Sequence, residues 1–255
     1  MRGVSARGPA EVAALAALRG WDFEFTPDTV AGTVWNRWFA RFRDAVWDDE
    51  WSARGIVQPP GSWGYSGDNE REPALEVLEQ ITRENPQSIW FDDRTTPRRE
   101  TRDDQIAASF RAAIADLTRQ LGPDPREWTW GRVNRLELEA LSPDPRAARG
   151  GQPLRGGPFT LNPGGKGGAV ASGASWRQVV DLGALDGSIG VYPGGQSGDP
   201  ASPHYDDQLA LWANGAYTRL WFASDPNALA ATAVTRRLVL APRLPVAAPS
   251  GSIPS

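Results

Sequence analysis

The stretch Val191-Tyr-Pro-Gly-Gly-Gln-Ser-Gly198, followed by Ser202-Pro-His-Tyr-Asp-Asp-Gln208, lies between two regular elements and holds the chain's only histidine, His204. Upstream of it, Ser188-Ile-Gly-Val-Tyr192 reads as a strand; downstream, Asp206 to Trp212 reads as one short helix. Between them, proline and glycine punctuate a loop dense in polar side chains. Ser197, Ser202, Asp206 and Asp207 surround His204 in sequence and invite a serine-hydrolase reading. Two points oppose it. Gly195-Gln-Ser-Gly-Asp199 is not the G-x-S-x-G elbow, because its second glycine comes one place early. Three members of a triad on one loop also rarely point at a common atom. His204 is read instead as a hydrogen-bonding residue that fixes the loop. Gly195, Gln196, Ser197, His204 and Asp207 form a structural clasp, and no catalytic residue is assigned to this chain.

Before that loop the chain changes character. Pro9 to Leu18 is rich in alanine and leucine and stops near Gly20, a plausible C-cap. Asp28 can cap a second helix, in which Val30, Val34, Trp38, Phe42 and Val46 recur at intervals of four as far as about Glu50. Gln58-Pro-Pro-Gly-Ser-Trp-Gly-Tyr-Ser-Gly67 is a loop. A third helix starts near Pro73 and runs through Leu75, Leu78 and Ile81. After the short apolar piece Ile89-Trp-Phe-Asp-Asp93, a fourth helix spans about Arg102 to Leu121, with Ile106, Phe110, Ile114, Leu117 and Leu121 on one stripe. Gly122-Pro-Asp-Pro125 stops it.

From about Asp144 glycine and proline dominate. Pro158-Phe-Thr-Leu161 is the expected strand there. Trp176-Arg-Gln-Val-Val-Asp-Leu182 and Ser188 to Tyr192 are strands joined by the turn Gly183–Gly187. Tyr217 to Phe222 and Arg237 to Leu240 are the last strands, and the tail from Pro242 is expected to fray. The pattern is α+β: a mainly helical segment over 1–143, a β-rich segment over 144–241 and a tail over 242–255. No internal repeat stands out.

Composition narrows the function. With 40% hydrophobic and 23% charged residues the chain is globular in kind. A net charge of −4 and the lack of a basic face argue against nucleic acid as a partner. The chain has no cysteine, hence no thiolate metal site. No window reaches the roughly 18–20 apolar residues of a membrane span. Met1 to Pro9 has a positive flank but no apolar core before Glu11, unlike a signal peptide. Twelve tryptophans are read chiefly as core. The alternative is a stand-alone tryptophan-rich module that stacks a glycan or another ligand on exposed rings.

Other candidate chemistry is weaker. The neighbouring pairs Asp48/Asp49, Asp92/Asp93, Asp103/Asp104 and Asp206/Asp207 point apart on a helix or strand and do not make a shared site. Asp92/Asp93, in a loop, is the best of them for a hard cation, but its spacing matches no calcium loop. Capping or ion pairing accounts for such residues. Pro163-Gly-Gly-Lys-Gly-Gly168 lacks the spacing and the Ser/Thr of a P-loop.

Several segments, in order, resemble the penicillin acylase family of N-terminal-nucleophile hydrolases. Leu18-Arg-Gly-Trp-Asp22 resembles the entry to a helical region in that family, with Phe23 where glycine is usual. Ser88-Ile-Trp-Phe-Asp-Asp93 with Thr96, Glu100 and Thr101, and Leu121-Gly to Trp128-Thr-Trp-Gly131, resemble two further family segments. Asn134 stands where many members have histidine. Ser175-Trp-Arg-Gln-Val-Val-Asp-Leu182 and the loop from Pro193 to Gln208 are similar to its closing signatures. The resemblance covers about residues 18–240.

The resemblance implies the C-terminal part of a β-subunit, completing an αββα sandwich. In the family a freed N-terminal serine attacks a linear amide carbonyl, with its own α-amino group as base. The acyl group leaves a β-lactam, an acyl-homoserine lactone or a similar amine, an activity tied to antibiotic biosynthesis in bacteria. Its Gly-Ser-Asn-x-Trp processing site has no match here; Gly61-Ser-Trp-Gly64 lacks the asparagine. The oxyanion asparagine and the calcium ligands belong to family sequence preceding Trp21, so no cofactor site is expected in this chain. The implied partners are the α-subunit and the N-terminal half of the β-subunit, and the implied ligand of the whole enzyme is a small amide. The clasp loop would lie near the active-site scaffold, and the parent enzyme would be periplasmic or secreted. Truncated reading frame and separately encoded subunit both remain compatible with the sequence.

Overall fold

The computed structural model describes residues 3–55, 75–140, 142–158, 160–162, 168–171, 173–221, 238 and 240. The first helix, α1 (Pro9–Arg19), opens on a proline in its first turn and ends where the Gly20 N–H reaches the Ala16 carbonyl at 3.1 Å. The second, α2 (Val30–Ser52), is capped by Thr29, whose Oγ1 accepts from Gly32 N–H at 3.3 Å, and not by Asp28. The hydroxyl one residue later is the one that meets the free N–H groups of the first turn. Gly32 is needed there: a Cβ would stand 2.8 Å from Thr29 Cγ2 and 3.0 Å from the Phe25 ring.

α3 (Leu75–Glu84) carries the expected third helix; its proposed start at Pro73 and the loop 58–67 lie outside the described residues. A 3-10 turn, Ile89–Phe91, capped by Ser88, leads towards α4 (Arg102–Leu121). The bounds of α4 are those read from its stripe. Thr101 and Asp104 form a capping box at its start, and Gly122, at φ 99°, ends it in a backbone region that favours glycine. Val34 of α2 packs with Ala14 and Leu15 of α1, Phe110, Ile114 and Leu117 of α4, and Trp128. Phe42, Val46 and Trp47 pack separately with Leu78 and Phe91. Burying each such side chain contributes about 1.5–3 kcal/mol, which is why the intervals of four in α2 decide its orientation.

The short helix α5 (Trp130–Val133) turns the chain into β1 (Asn134–Leu138). It is tied back to the start of α2 by Trp130 N–H to Thr29 O at 2.9 Å and Gly131 N–H to Pro27 O at 2.7 Å. β1 pairs antiparallel with β2 (Arg149–Pro153) and parallel with β3 (Gly168–Val170), in the order β2-β1-β3. Neither partner strand was expected in this glycine-rich stretch. The expected strand at Pro158–Leu161 is instead turn and bend at Pro158, Thr160 and Leu161; Phe159 lies outside the described residues. Residues 163–167 are outside as well.

β4 (Arg177–Val179), β5 (Ile189–Val191) and β6 (Thr218–Arg219) are ordered β4-β5-β6 in a second sheet. They are shorter than the strands expected at 176–182, 188–192 and 217–222. Between β5 and β6 lies α6 (Leu209–Ala213), which starts three residues after the expected Asp206. The proposed strand 237–240 and the tail after Pro242 fall on residues that are mostly or wholly outside those described. Helices followed by small sheets make the chain α+β.

Two compact units divide it: Met1–Gln178 with Gly190–Thr218, and Val179–Ile189 with the chain from Arg219. In the first, Leu136, Leu154, Val170, Val191, Leu209, Trp212 and Ala213 share one apolar cluster. In the second, the Asp181 carboxylate accepts from Gly183 and Ala184 N–H at 2.9 and 3.2 Å, and Arg219 Nε donates to Asp186 O at 2.8 Å.

A four-residue turn recurs. Pro123-Asp-Pro-Arg126 and Pro143-Asp-Pro-Arg146 fold alike, each a 3-10 turn capped by its aspartate. In both, arginine Nη2 donates to aspartate Oδ2, at 2.7 Å for Arg126 and 2.8 Å for Arg146.

Candidate functional site

The loop from Tyr192 to Gln208 is held at both ends by the same core: Val191 before it is fully buried, and Leu209 and Trp212 after it are 3% and 1% exposed. Between these anchors the backbone closes on itself. Ser197 N–H donates to His204 O at 3.0 Å, and Gln208 N–H to Gly194 O at 2.9 Å. Gly195 runs so close to the returning strand of the loop that a Cβ would stand 2.0 Å from His204 O and 2.7 Å from Asp207 Oδ1. Only glycine fits there.

The side chains complete the closure. His204 Nδ1 and Asp207 Oδ2 are 3.0 Å apart, in a pair largely open to solvent. Ser202 Oγ accepts from His204 N–H and Ser197 Oγ from Asp199 N–H, each at 3.1 Å. Gln196 Nε2 donates to the Tyr192 hydroxyl. The five residues Gly195, Gln196, Ser197, His204 and Asp207 thus lie together in one closed loop. Their groups are spent on shaping it: both serine oxygens take backbone N–H groups, and the histidine–carboxylate pair is a local contact three residues long.

A cavity of about 480 Å³ opens beside the loop. Tyr192, Gly194, Gly195, Arg149, Tyr205 and Asp206 line it. Arg149 is ion-paired with Asp206 and lies over the Tyr205 ring at 4.5 Å, while the Tyr205 hydroxyl donates to Ala147 O at 2.7 Å. Sequence reasoning singled out neither Arg149 nor the two tyrosines. Arg149 and Asp206 are 57 positions apart, so no local spacing could reveal the pair. The cavity offers ring faces and a mutually neutralised ion pair.

The carboxylate pairs act locally. Asp92 accepts from Glu100 N–H at 3.1 Å, and Glu100 accepts from Asp93 N–H at 3.1 Å. Asp93 accepts from Thr95 N–H and Oγ1 at 2.9 and 2.6 Å, and Thr96 Oγ1 donates to Glu100 at 2.8 Å. Asp49 accepts from Arg94 N–H at 2.9 Å, which fixes this loop beside α2. Among the described residues no three of His, Cys, Asp and Glu converge to hold a metal ion. No described helix is long and apolar enough to cross a membrane. Asn134 is fully buried and donates to Leu154 O at 2.9 Å, which joins β1 to the end of β2.

The family model of penicillin amidase matches residues 3–228. The chain belongs to the penicillin amidase family. It is 31% identical over 184 residues to acyl-homoserine lactone acylase QuiP of Pseudomonas aeruginosa PAO1, covering 61% of this chain and 20% of that one. It is 33% identical over 140 residues to QuiP of Pseudomonas syringae pv. syringae B728a, covering 51% and 17%. Superposition on a thermostable penicillin G acylase from Alcaligenes faecalis covers 95% of this chain and 45% of that chain, with a TM-score of 0.44 at 17% identity. The chain spans about a fifth of the length of these curated relatives. The family is one of amidohydrolases.

Proposed function

We propose that the chain is the C-terminal part of the β-subunit of a penicillin acylase-like amidohydrolase, and that it does not catalyse the reaction alone. The family match over residues 3–228, with alignments that cover about a fifth of the curated relatives, carries the reading. The complete enzyme hydrolyses a linear amide, releasing an acyl chain from a β-lactam, an acyl-homoserine lactone or a similar amine. Its nucleophile is an N-terminal serine supplied by another part of the protein, together with the oxyanion donors. This chain contributes a helical segment over 1–143 and a β-rich segment over 144–241 that completes the sandwich. The closed loop of Gly195, Gln196, Ser197, His204 and Asp207 is a structural clasp near the active-site scaffold.

Exposed apolar residues support the incompleteness. In the second unit, Val179 and Val180 are 54% and 45% exposed and Leu182 is 88% exposed. Val179 ends β4 and Val180 and Leu182 follow it outside the strand, and such an exposed apolar run suits a segment covered by further polypeptide in the finished protein. Buried Trp128, Trp130 and Trp212 weigh against the tryptophan-rich binding module.

The test is direct. The purified chain is incubated with penicillin G and with an acyl-homoserine lactone, and the free amine is measured. The expected result is no release. Turnover by this chain alone overturns the proposal. The DNA upstream of Met1 is expected to continue in frame through a serine-containing processing site.

A further inference from the structure

Among the described residues, several buried or half-buried arginines are matched by carboxylates. Arg37 meets Asp116 and Arg149 meets Asp206. Arg177, on β4, meets none among the described residues. Its guanidinium lies 5.4 Å from the Trp212 ring and 5.6 Å from the Tyr217 ring, and Nη2 donates to the Trp212 carbonyl. Its Nε–H is buried without an acceptor. Burial pulls this guanidinium below its usual range, and of the charged or titratable groups only Tyr217 pulls it back. A desolvated cation with one hydrogen bond and two ring faces is under-compensated, since a buried charge normally costs several kcal/mol unless paired.

Its place in the sheet indicates what would compensate it. Among the described strands, β4 is an outer one in the order β4-β5-β6. An outer strand can accept a further strand, whose side chains then stand directly across from its own. Opposite charge is the favourable partner for an arginine in that position. The alignments cover only about a fifth of the curated relatives, so polypeptide outside this chain is available to supply it.

We propose that Arg177 is a docking residue for an aspartate or glutamate on a strand that adds to the outer edge of β4, contributed by the part of the acylase outside this chain. This rests on the reading of the chain as one part of a larger enzyme. Its test uses stability and binding only, so its failure is separate from any result on turnover.

In the isolated chain, Arg177→Met removes an uncompensated charge while keeping the apolar stem. Its urea midpoint is expected to equal or exceed that of the unmodified chain, whereas Arg37→Met, which takes from Asp116 its most buried partner, is expected to lower it. A fluorescein-labelled, capped peptide alternating valine with glutamate is then titrated by anisotropy against the same chain. It is expected to bind about tenfold more tightly than the peptide alternating valine with lysine. The preference is expected to vanish in Arg177→Met and to survive in reduced form in Arg177→Lys. Sodium acetate, the free-carboxylate probe, is expected not to displace the peptide. A fall in the Arg177→Met midpoint overturns the proposal, because the counter-charge then lies within the chain. Equal or undetectable binding of both peptides, or displacement by acetate, also overturns it.

Discussion

Asp116 on α4 and Arg37 on α2 form an ion pair whose side chains are only 4% and 3% exposed. Arg41, 2.6 Å away through Nε, and Arg119 reach the same carboxylate from its solvent side. One acid thus fixes the register of the two longest helices and neutralises a cation that neither could bury alone. Asp116→Ala is expected to destabilise the chain by about 3–5 kcal/mol, because the buried Arg37 loses the carboxylate that it is paired with. A urea titration measures it. A loss below about 1 kcal/mol would show that the cluster is an ordinary surface network.

The same residue sets the acid limit of the fold. Burial opposes ionisation of Asp116, but hydrogen bonds from Arg41, the charge of Arg37 and hydrogen bonds from Arg119 and Arg37 outweigh it and hold the carboxyl at about 2. An unfolded aspartate titrates near 3.9, so the folded state binds its proton less readily. Its stabilising contribution is therefore full above about pH 4 and is lost as pH falls through 2. Urea midpoints measured across that interval should fall steeply in the unmodified chain and less steeply in Asp116→Asn. Parallel pH profiles would contradict the assignment.

Phe23 is held at φ 67°, a backbone region where a side chain is strained, and its ring is 76% exposed. Its compensation is one tilted ring contact with Trp21 at 5.3 Å. Phe23→Gly is expected to raise stability by about 0.5–1 kcal/mol: relief of the left-handed strain exceeds the extra freedom that glycine gives the unfolded chain. Thermal unfolding tests this, and a lowered midpoint would mean that the Trp21 contact outweighs the strain.

Within the loop, the plainest residue is expected to matter most. Gly195→Ala forces a methyl group against His204 O and should cost about 1–3 kcal/mol, with faster amide exchange at Ser197 and Gln208. His204→Ala removes an exposed, local contact and should change stability by no more than about 0.5 kcal/mol. The reverse order of severity would restore His204 to a central role.

Legibility followed the range of the forces. α1, α2 and α4 were readable because their apolar intervals, caps and stops lie within a few residues of one another. The cap of α2 slipped by one position because Asp28 and Thr29 are both good N-caps and only geometry separates them. β2 and β3 were not readable: Arg149-Gly-Gly-Gln-Pro153 has little strand propensity and becomes a strand by pairing with β1. The same holds at the loop. Its turn residues announced a fixed shape, and the local pairing of His204 with Asp207 was within reach of sequence. The Arg149–Asp206 pair and the cavity beside it depend on chain segments brought together only by the fold.

The twin Pro-Asp-Pro-Arg turns have a consequence for the unfolded chain. In each, aspartate and arginine are two positions apart, with prolines restricting the backbone between and before them. The carboxyls of Asp124 and Asp144 are held below the usual range mainly by their own arginines. Nothing in that pairing requires the rest of the protein, so both clamps should persist in urea as residual structure in the denatured ensemble. Their aspartates would then titrate alike before and after unfolding. These two would then be silent in the pH dependence of stability, to which Asp116, whose partners are gathered only by folding, would contribute.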